Sequence, residues 1–130
     1  MSKIKTSWII ACNDPEKLSD FYGFALHASP QKGLNDDHWI VTTPDFLRIQ
    51  FYRVSTKLPS PIGGRRSTLC IERRSLNDPL VDIEKWTAEL ISYGAVSHDV
   101  PIIRSFGVES WLQDPEGNDF LIFVPIENRI

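Results

Sequence analysis

Asn13-Asp14-Pro15-Glu16-Lys17-Leu18-Ser19-Asp20-Phe21-Tyr22 decides the fold, because Asn77-Asp78-Pro79 repeats its opening 64 positions later. Asp is a strong helix N-cap and Pro suits the first helical turn, so each copy reads as a helix start. Leu18, Phe21, Tyr22 and Ala25 follow at helical spacing and predict a helix over about 15–25, with Gly23 set against the pattern. Before it, Ser7-Trp8-Ile9-Ile10-Ala11-Cys12 reads as a buried strand. In the second copy, Thr68-Leu69-Cys70-Ile71-Glu72 is the strand. The helix after it carries Ile83, Trp86, Leu90 and Ile91 on one face and ends at Gly94.

Residues 29–37 read as loop, His38-Trp39-Ile40-Val41-Thr42 as a strand and Thr43-Pro44-Asp45 as a turn. Leu47-Arg48-Ile49-Gln50-Phe51-Tyr52 alternates. Leu47, Ile49 and Phe51 fall on one face, and Arg48, Gln50 and Tyr52 on the other. Near the end, residues 108–113 form a strand, Asp114-Pro115-Glu116-Gly117-Asn118 a tight turn, and 120–124 a last strand. Trp39 and Trp111 each precede a turn with Pro and Asp and lie 72 positions apart, so an insertion after the second helix is expected. The chain therefore reads as two copies of one plan, module 1 over about 1–54 and module 2 over about 65–130. A Pro- and Gly-containing linker over about 55–64 joins them. Each copy offers one helix and about three strands, an α+β organisation in which the helix covers one sheet face. Two curved half-sheets side by side would then enclose a concave cavity lined by the other faces.

The 130 residues carry 14 basic and 17 acidic side chains, a formal charge of −3, which argues against a phosphate-driven nucleic-acid binder. Two cysteines, Cys12 and Cys70, make no disulfide framework; both sit in apolar runs, so buried thiols in a reducing compartment are expected. The polar start and the lack of an apolar run of ~18 residues predict neither a signal peptide nor a membrane span, and hence a cytoplasmic protein.

With the helix-opening motif at 13–22 and the turn at 114–118, the chain resembles the glyoxalase / bleomycin-resistance / extradiol dioxygenase family, the vicinal oxygen chelate (VOC) proteins. That resemblance covers nearly the whole chain, as a single domain of two β-α-β-β-β modules. It implies mixed sheets and commonly a homodimer. Many members hold a divalent metal at four inward positions that need His or carboxylate ligands. Carried over, these positions are Ser7, Gln50, Arg66 or Thr68, and Leu121, and none is His, Asp or Glu. No metal or other cofactor is therefore expected.

The histidines His27, His38 and His98 fall on none of the four positions, and surface or internally satisfied rings are expected. A displaced metal site would pair His38 with Asp36 or Asp37. Of Arg48, Arg65, Arg66, Arg73 and Arg74, Arg48 shares a face with Gln50, and a guanidinium binds carboxylate or phosphate through its fork of donors. Gly63-Gly64 lacks the Lys-Ser/Thr and helix of a phosphate loop. Trp8 and Trp86 are assigned to the core, while Trp39 and Trp111 are candidate pocket walls that core packing also explains. Leu121 and Phe123 share the inner face. Glu109 and Gln113 share a strand face with Trp111, and Glu109 is a candidate base.

The expected function is binding of a small molecule, anionic or aromatic, without the usual metal. The candidate lining is Ser7, Arg48, Gln50, Tyr52, Arg66, Thr68, Trp111, Leu121 and Phe123. The alternatives are a metal-dependent lyase or dioxygenase with atypical ligands, and a structural dimer or accessory subunit. Neither nucleic acid nor membrane is expected as a partner.

Overall fold

A computed structural model describes residues 5–56 and 67–126. Among them the chain forms eight strands and two helices in two compact units, residues 1–62 and 63–130. Unit 1 runs β1 (Trp8–Cys12), α1 (Pro15–Leu26), β2 (Gln31–Lys32), β3 (His38–Thr42) and β4 (Arg48–Arg53). Unit 2 repeats the order as β5 (Cys70–Glu72), α2 (Pro79–Ser92), β6 (Ile102–Arg104), β7 (Gly107–Gln113) and β8 (Asp119–Pro125). Strand order is β1-β4-β3-β2 in one sheet and β5-β8-β7-β6 in the other, with the first strand of each parallel to its neighbour and the rest antiparallel. The architecture is thus an α+β fold of two β-α-β-β-β modules with mixed four-stranded sheets. Among the described residues no helix is long and apolar enough to cross a membrane.

Both helices start as the repeat predicts. Asp14 accepts from the Lys17 N–H at 3.1 Å and Asp78 from the Leu80 N–H at 3.0 Å, with Pro in the first turn of each. In unit 2, the Asp82 carboxylate accepts from the Ser75 hydroxyl and the Leu76 and Asn77 N–H groups, which hold it below the ordinary aspartate range. At the end of α1, His27 adopts the left-handed conformation, and the chain folds back so closely that a Cβ on Gly23 would stand 2.6 Å from the Ala28 carbonyl oxygen. Gly23 is therefore required by close approach, at a modest cost in helix propensity.

One face of each sheet is buried. Leu18, Phe21, Tyr22 and Ala25 of α1 are buried with Val41, Ile49 and Phe51, and Tyr22 stacks on Phe51 at 5.8 Å. In unit 2, Ile83, Trp86 and Leu90 of α2 are buried with Val108, Leu112, Phe120, Ile122 and Val124. Each such side chain contributes about 1.5–3 kcal/mol by leaving water. The Arg73 guanidinium lies 4.4 Å over the Trp86 ring.

Several expectations are corrected. Trp8 stands in register with Ile49, on the helix side as its alternation predicts, yet it is 55% exposed because β1 is an edge strand. Ile91 is exposed at the border of the α2 stripe. Cys70 is exposed, while Cys12 is buried as expected. Residues 29–37 contain the two-residue β2, and the insertion after α2 contains β6, so each module has four strands rather than about three. Residues 57–66, with Arg65, Arg66 and most of the expected linker, lie outside the described residues.

The buried Ser110 hydroxyl meets no hydrogen-bond partner among the described residues. Ser110→Ala is therefore expected to raise stability by about 1 kcal/mol. Phe51→Ala, which empties the centre of the unit 1 core, is expected to lower it by about 3–5 kcal/mol. Urea denaturation of both variants measures the two effects.

Candidate functional site

Because side chains alternate across a strand, the face of each sheet away from its helix is set by register. In unit 1 the pairs Ile9↔Gln50, His38↔Tyr52, Ile40↔Gln50 and Thr42↔Arg48 place Arg48, Gln50, Tyr52 and His38 together on this open face. Ser7 joins them, since the Gln50 Nε2–H donates to the Ser7 Oγ at 2.8 Å. In unit 2 the pairs Cys70↔Leu121, Trp111↔Leu121 and Glu109↔Phe123 place Leu121, Phe123, Trp111, Glu109 and Cys70 on the equivalent face.

His38 organises the unit 1 face. Its ring is buried and stacks on Tyr52 with centroids 4.0 Å apart and planes 8° from parallel. Its Nδ1 accepts the Leu34 N–H at 2.9 Å, which leaves Nε2 as the protonated nitrogen of the neutral ring. Nε2–H then donates to Gln50 Oε1 at 2.9 Å, and the Tyr52 hydroxyl approaches the same oxygen at 3.4 Å. The loop before β3 is pressed onto the ring: a Cβ on Gly33 would stand 2.1 Å from His38 Nδ1. Arg48 is half-buried on this face, and its Nε has no hydrogen-bond partner among the described residues.

The unit 2 face is chemically different. Leu121, Phe123 and Trp111 are half-buried, and Phe106 packs on Phe123 with centroids 5.7 Å apart. Glu109 is held by the Arg104 Nε at 2.6 Å, an ion pair that occupies the candidate base. Partial burial, with Glu72 and Glu109 nearby, pushes the Cys70 thiol above its ordinary value, so it stays protonated and is a poor nucleophile. Thr68 is half-buried, two residues before β5.

The hairpins settle which residues of the two modules correspond: Thr42↔Arg48 and Gln113↔Asp119 each close a five-residue turn, so Arg48 equates with Asp119 and Gln50 with Leu121. Ser7 lies two before Ile9, the partner of Gln50, and Thr68 lies two before Cys70, the partner of Leu121. Thr68 rather than Arg66 is thus the counterpart of Ser7, and Leu121 that of Gln50. The same comparison equates Trp111 with Ile40, not Trp39, which corrects the expected tryptophan match by one residue. One residue reverses the face: Trp39 pairs with Phe51 on the helix side, where its Nε1–H donates to the Asp36 carbonyl, whereas Trp111 lies on the open face. Sequence reading missed His38 as a member of the open face, although its position two before Ile40 carries that information.

Asp36 and Asp37 turn to cations instead of His38. Asp36 pairs with Lys32 at 2.7 Å and Asp37 with Arg53 at 2.7 Å. His98 hydrogen-bonds Gln113 on the surface, and His27 is the exposed cap of α1. Among the described residues no three His, Cys, Asp or Glu side chains group closely enough to hold a metal ion.

A helix packed on one side of a mixed sheet, repeated once along the chain, defines the class of paired β-α-β-β-β proteins. Residues 7–123 match the glyoxalase-like domain family, and the chain belongs to it. No curated protein matches at a significant level. Among solved structures, it is similar to a glyoxalase/bleomycin resistance protein/dioxygenase family enzyme from Burkholderia phytofirmans PsJN, with a TM-score of 0.75 and 20% identity over 95% of this chain and 100% of that one. It is also similar to the fosfomycin resistance protein FosX from Listeria monocytogenes, with a TM-score of 0.70 and 12% identity over 95% and 94%. Protein ATC0852 from Agrobacterium tumefaciens aligns with a TM-score of 0.71 and 15% identity over 97% and 100%. At these identities the likeness establishes the fold alone.

Gly33→Ala is expected to cost about 1–3 kcal/mol, because the added methyl has no room beside the imidazole. It should also shift the His38 and Tyr52 ring resonances while leaving those of unit 2 in place. Denaturation and two-dimensional NMR check both parts.

Proposed function

We propose that this chain is a small-molecule-binding member of the glyoxalase-like family that takes an anionic organic ligand on the open face of unit 1 and uses no metal there. One observation carries the reading: Arg48 Nε is buried without a hydrogen-bond partner among the described residues, on the face that carries Ser7 and Gln50. A buried guanidinium donor left unpaired is costly, and a carboxylate or phosphate oxygen repays that cost. Two proteins of the same fold are named a glyoxalase/bleomycin resistance protein and a fosfomycin resistance protein.

The donor chemistry does not suit the divalent metal that the family implies. At the corresponding positions Ser7 and Gln50 are hydrogen-bonded to each other, Leu121 is a hydrocarbon, and Thr68 offers only a neutral hydroxyl. A metal site needs anionic or imidazole ligands. The only lone pair on the neutral His38 ring already accepts the Leu34 N–H, so this ring has none to offer. No reaction step is therefore assigned to a metal. We place the protein in the cytoplasm as a homodimer.

A thermal-shift screen of small carboxylates and phosphate esters tests the reading. At a hundredfold excess over Kd a ligand should add about 2.7 kcal/mol, a rise of several degrees in Tm. Arg48→Met should abolish the rise without unfolding the protein. If no such compound stabilises the chain, the reading is wrong. Stoichiometric metal in the purified protein, together with a chelator-sensitive lyase or dioxygenase activity, would replace it with the enzyme alternative.

A further inference from the structure

The hydrogen bonds on the unit 1 face have a direction. The Leu34 backbone N–H can only donate, so His38 Nδ1 must accept and Nε2 must carry the proton. The Gln50 atom 2.9 Å from Nε2 must then be its oxygen, which turns the Gln50 NH₂ toward Ser7. Ser7 Oγ accepts that hydrogen at 2.8 Å. The hydroxyl keeps its own hydrogen, and Ser7 donates to no group among the described residues. Arg48 and Ser7 each lie one residue before the register pair Trp8↔Ile49, so they are neighbours across β1 and β4. The face thus carries two unused donors on neighbouring strands, the Ser7 O–H and the Arg48 Nε–H.

We propose that His38 is the positioning residue of this face: by fixing the Gln50 amide it keeps the Ser7 hydroxyl free to donate, so that Ser7 and Arg48 together accept an oxyanion and reject a ligand that can only donate. The inference rests on the binding reading above and adds how the ligand chemistry is chosen. His38 touches no ligand; it acts through Gln50. Carboxylate and phosphate share the required chemistry, since both present acceptor oxygens to a guanidinium and a hydroxyl.

The test uses the whole chain, with inorganic phosphate and benzoate as separate probes and methylammonium as the donor-only control. The ¹⁵N spectrum of His38 should show a proton on Nε2 and none on Nδ1; the opposite tautomer overturns the proposal. Either anion, titrated while the Arg48 Nε–H resonance is followed, should bind saturably, and methylammonium should not. The anion that binds identifies the headgroup. His38→Phe keeps the ring stack but removes both hydrogen bonds, and should weaken the anion at least about tenfold. His38→Gln, whose amide can still donate to Gln50, should recover most of that loss. Gln50→Glu still accepts from His38 and Tyr52, but it must take the Ser7 hydrogen and sets a carboxylate beside Arg48. It should abolish anion binding while the protein stays folded. If Arg48→Met loses the anion while His38→Phe and Gln50→Glu bind as the parent does, the positioning role fails and the binding reading stands. If Arg48→Met binds normally, or neither anion binds the parent, both fail.

Discussion

One helix covers one face of each four-stranded sheet. That constraint sorts every residue of both modules. Alternation sends Val41, Ile49, Phe51, Phe120, Ile122 and Val124 to the helix side, where removal from water holds the unit together. The side chains between them fall on the other face, away from the helix. In unit 1 they are a hydrogen-bonding set with an Arg, and in unit 2 an aromatic and aliphatic set with an ion pair.

The duplication makes this difference measurable. The shared strand order and the matching registers of β1, β3 and β4 with β5, β7 and β8 equate Gln50 with Leu121, Tyr52 with Phe123 and His38 with Glu109. At each pair the backbone is doing the same thing and the side chain is not. Gln50 needs His38 to satisfy its oxygen, while Leu121 needs nothing. The polar network therefore exists as a unit in one copy and is wholly replaced in the other.

Much of this was legible in the sequence. The Asn-Asp-Pro repeat located both helices, and the alternation of 47–52 assigned the faces of Arg48, Gln50 and Tyr52 correctly. What escaped reading has physical causes. The strands β2 and β6 are two and three residues long, too short to show a period. Trp8 follows the alternation but sits on an edge strand, and exposure there depends on neighbours that no local pattern encodes. The tryptophan match failed because a shift of one residue is invisible in composition yet inverts a strand. His38 reads as a surface or satisfied histidine, and in the fold it is buried and satisfied. Its partner lies 12 residues away across a sheet, and only register reveals it.

The parallel pairing of first strand to last also bears on how the chain assembles. β3 and β4 meet through a short turn, whereas Trp8 finds Ile49 only after the whole of α1 and the hairpin have been spanned. In unit 2, Cys70 must wait in the same way for Leu121. The entropy of closing such a long loop is recovered only once the antiparallel hairpin and the helix already present a surface. In each module the C-terminal hairpin is therefore expected to form before the N-terminal strand joins it. Ser7, at the start of that strand, takes its place beside Arg48 only when this closure is complete.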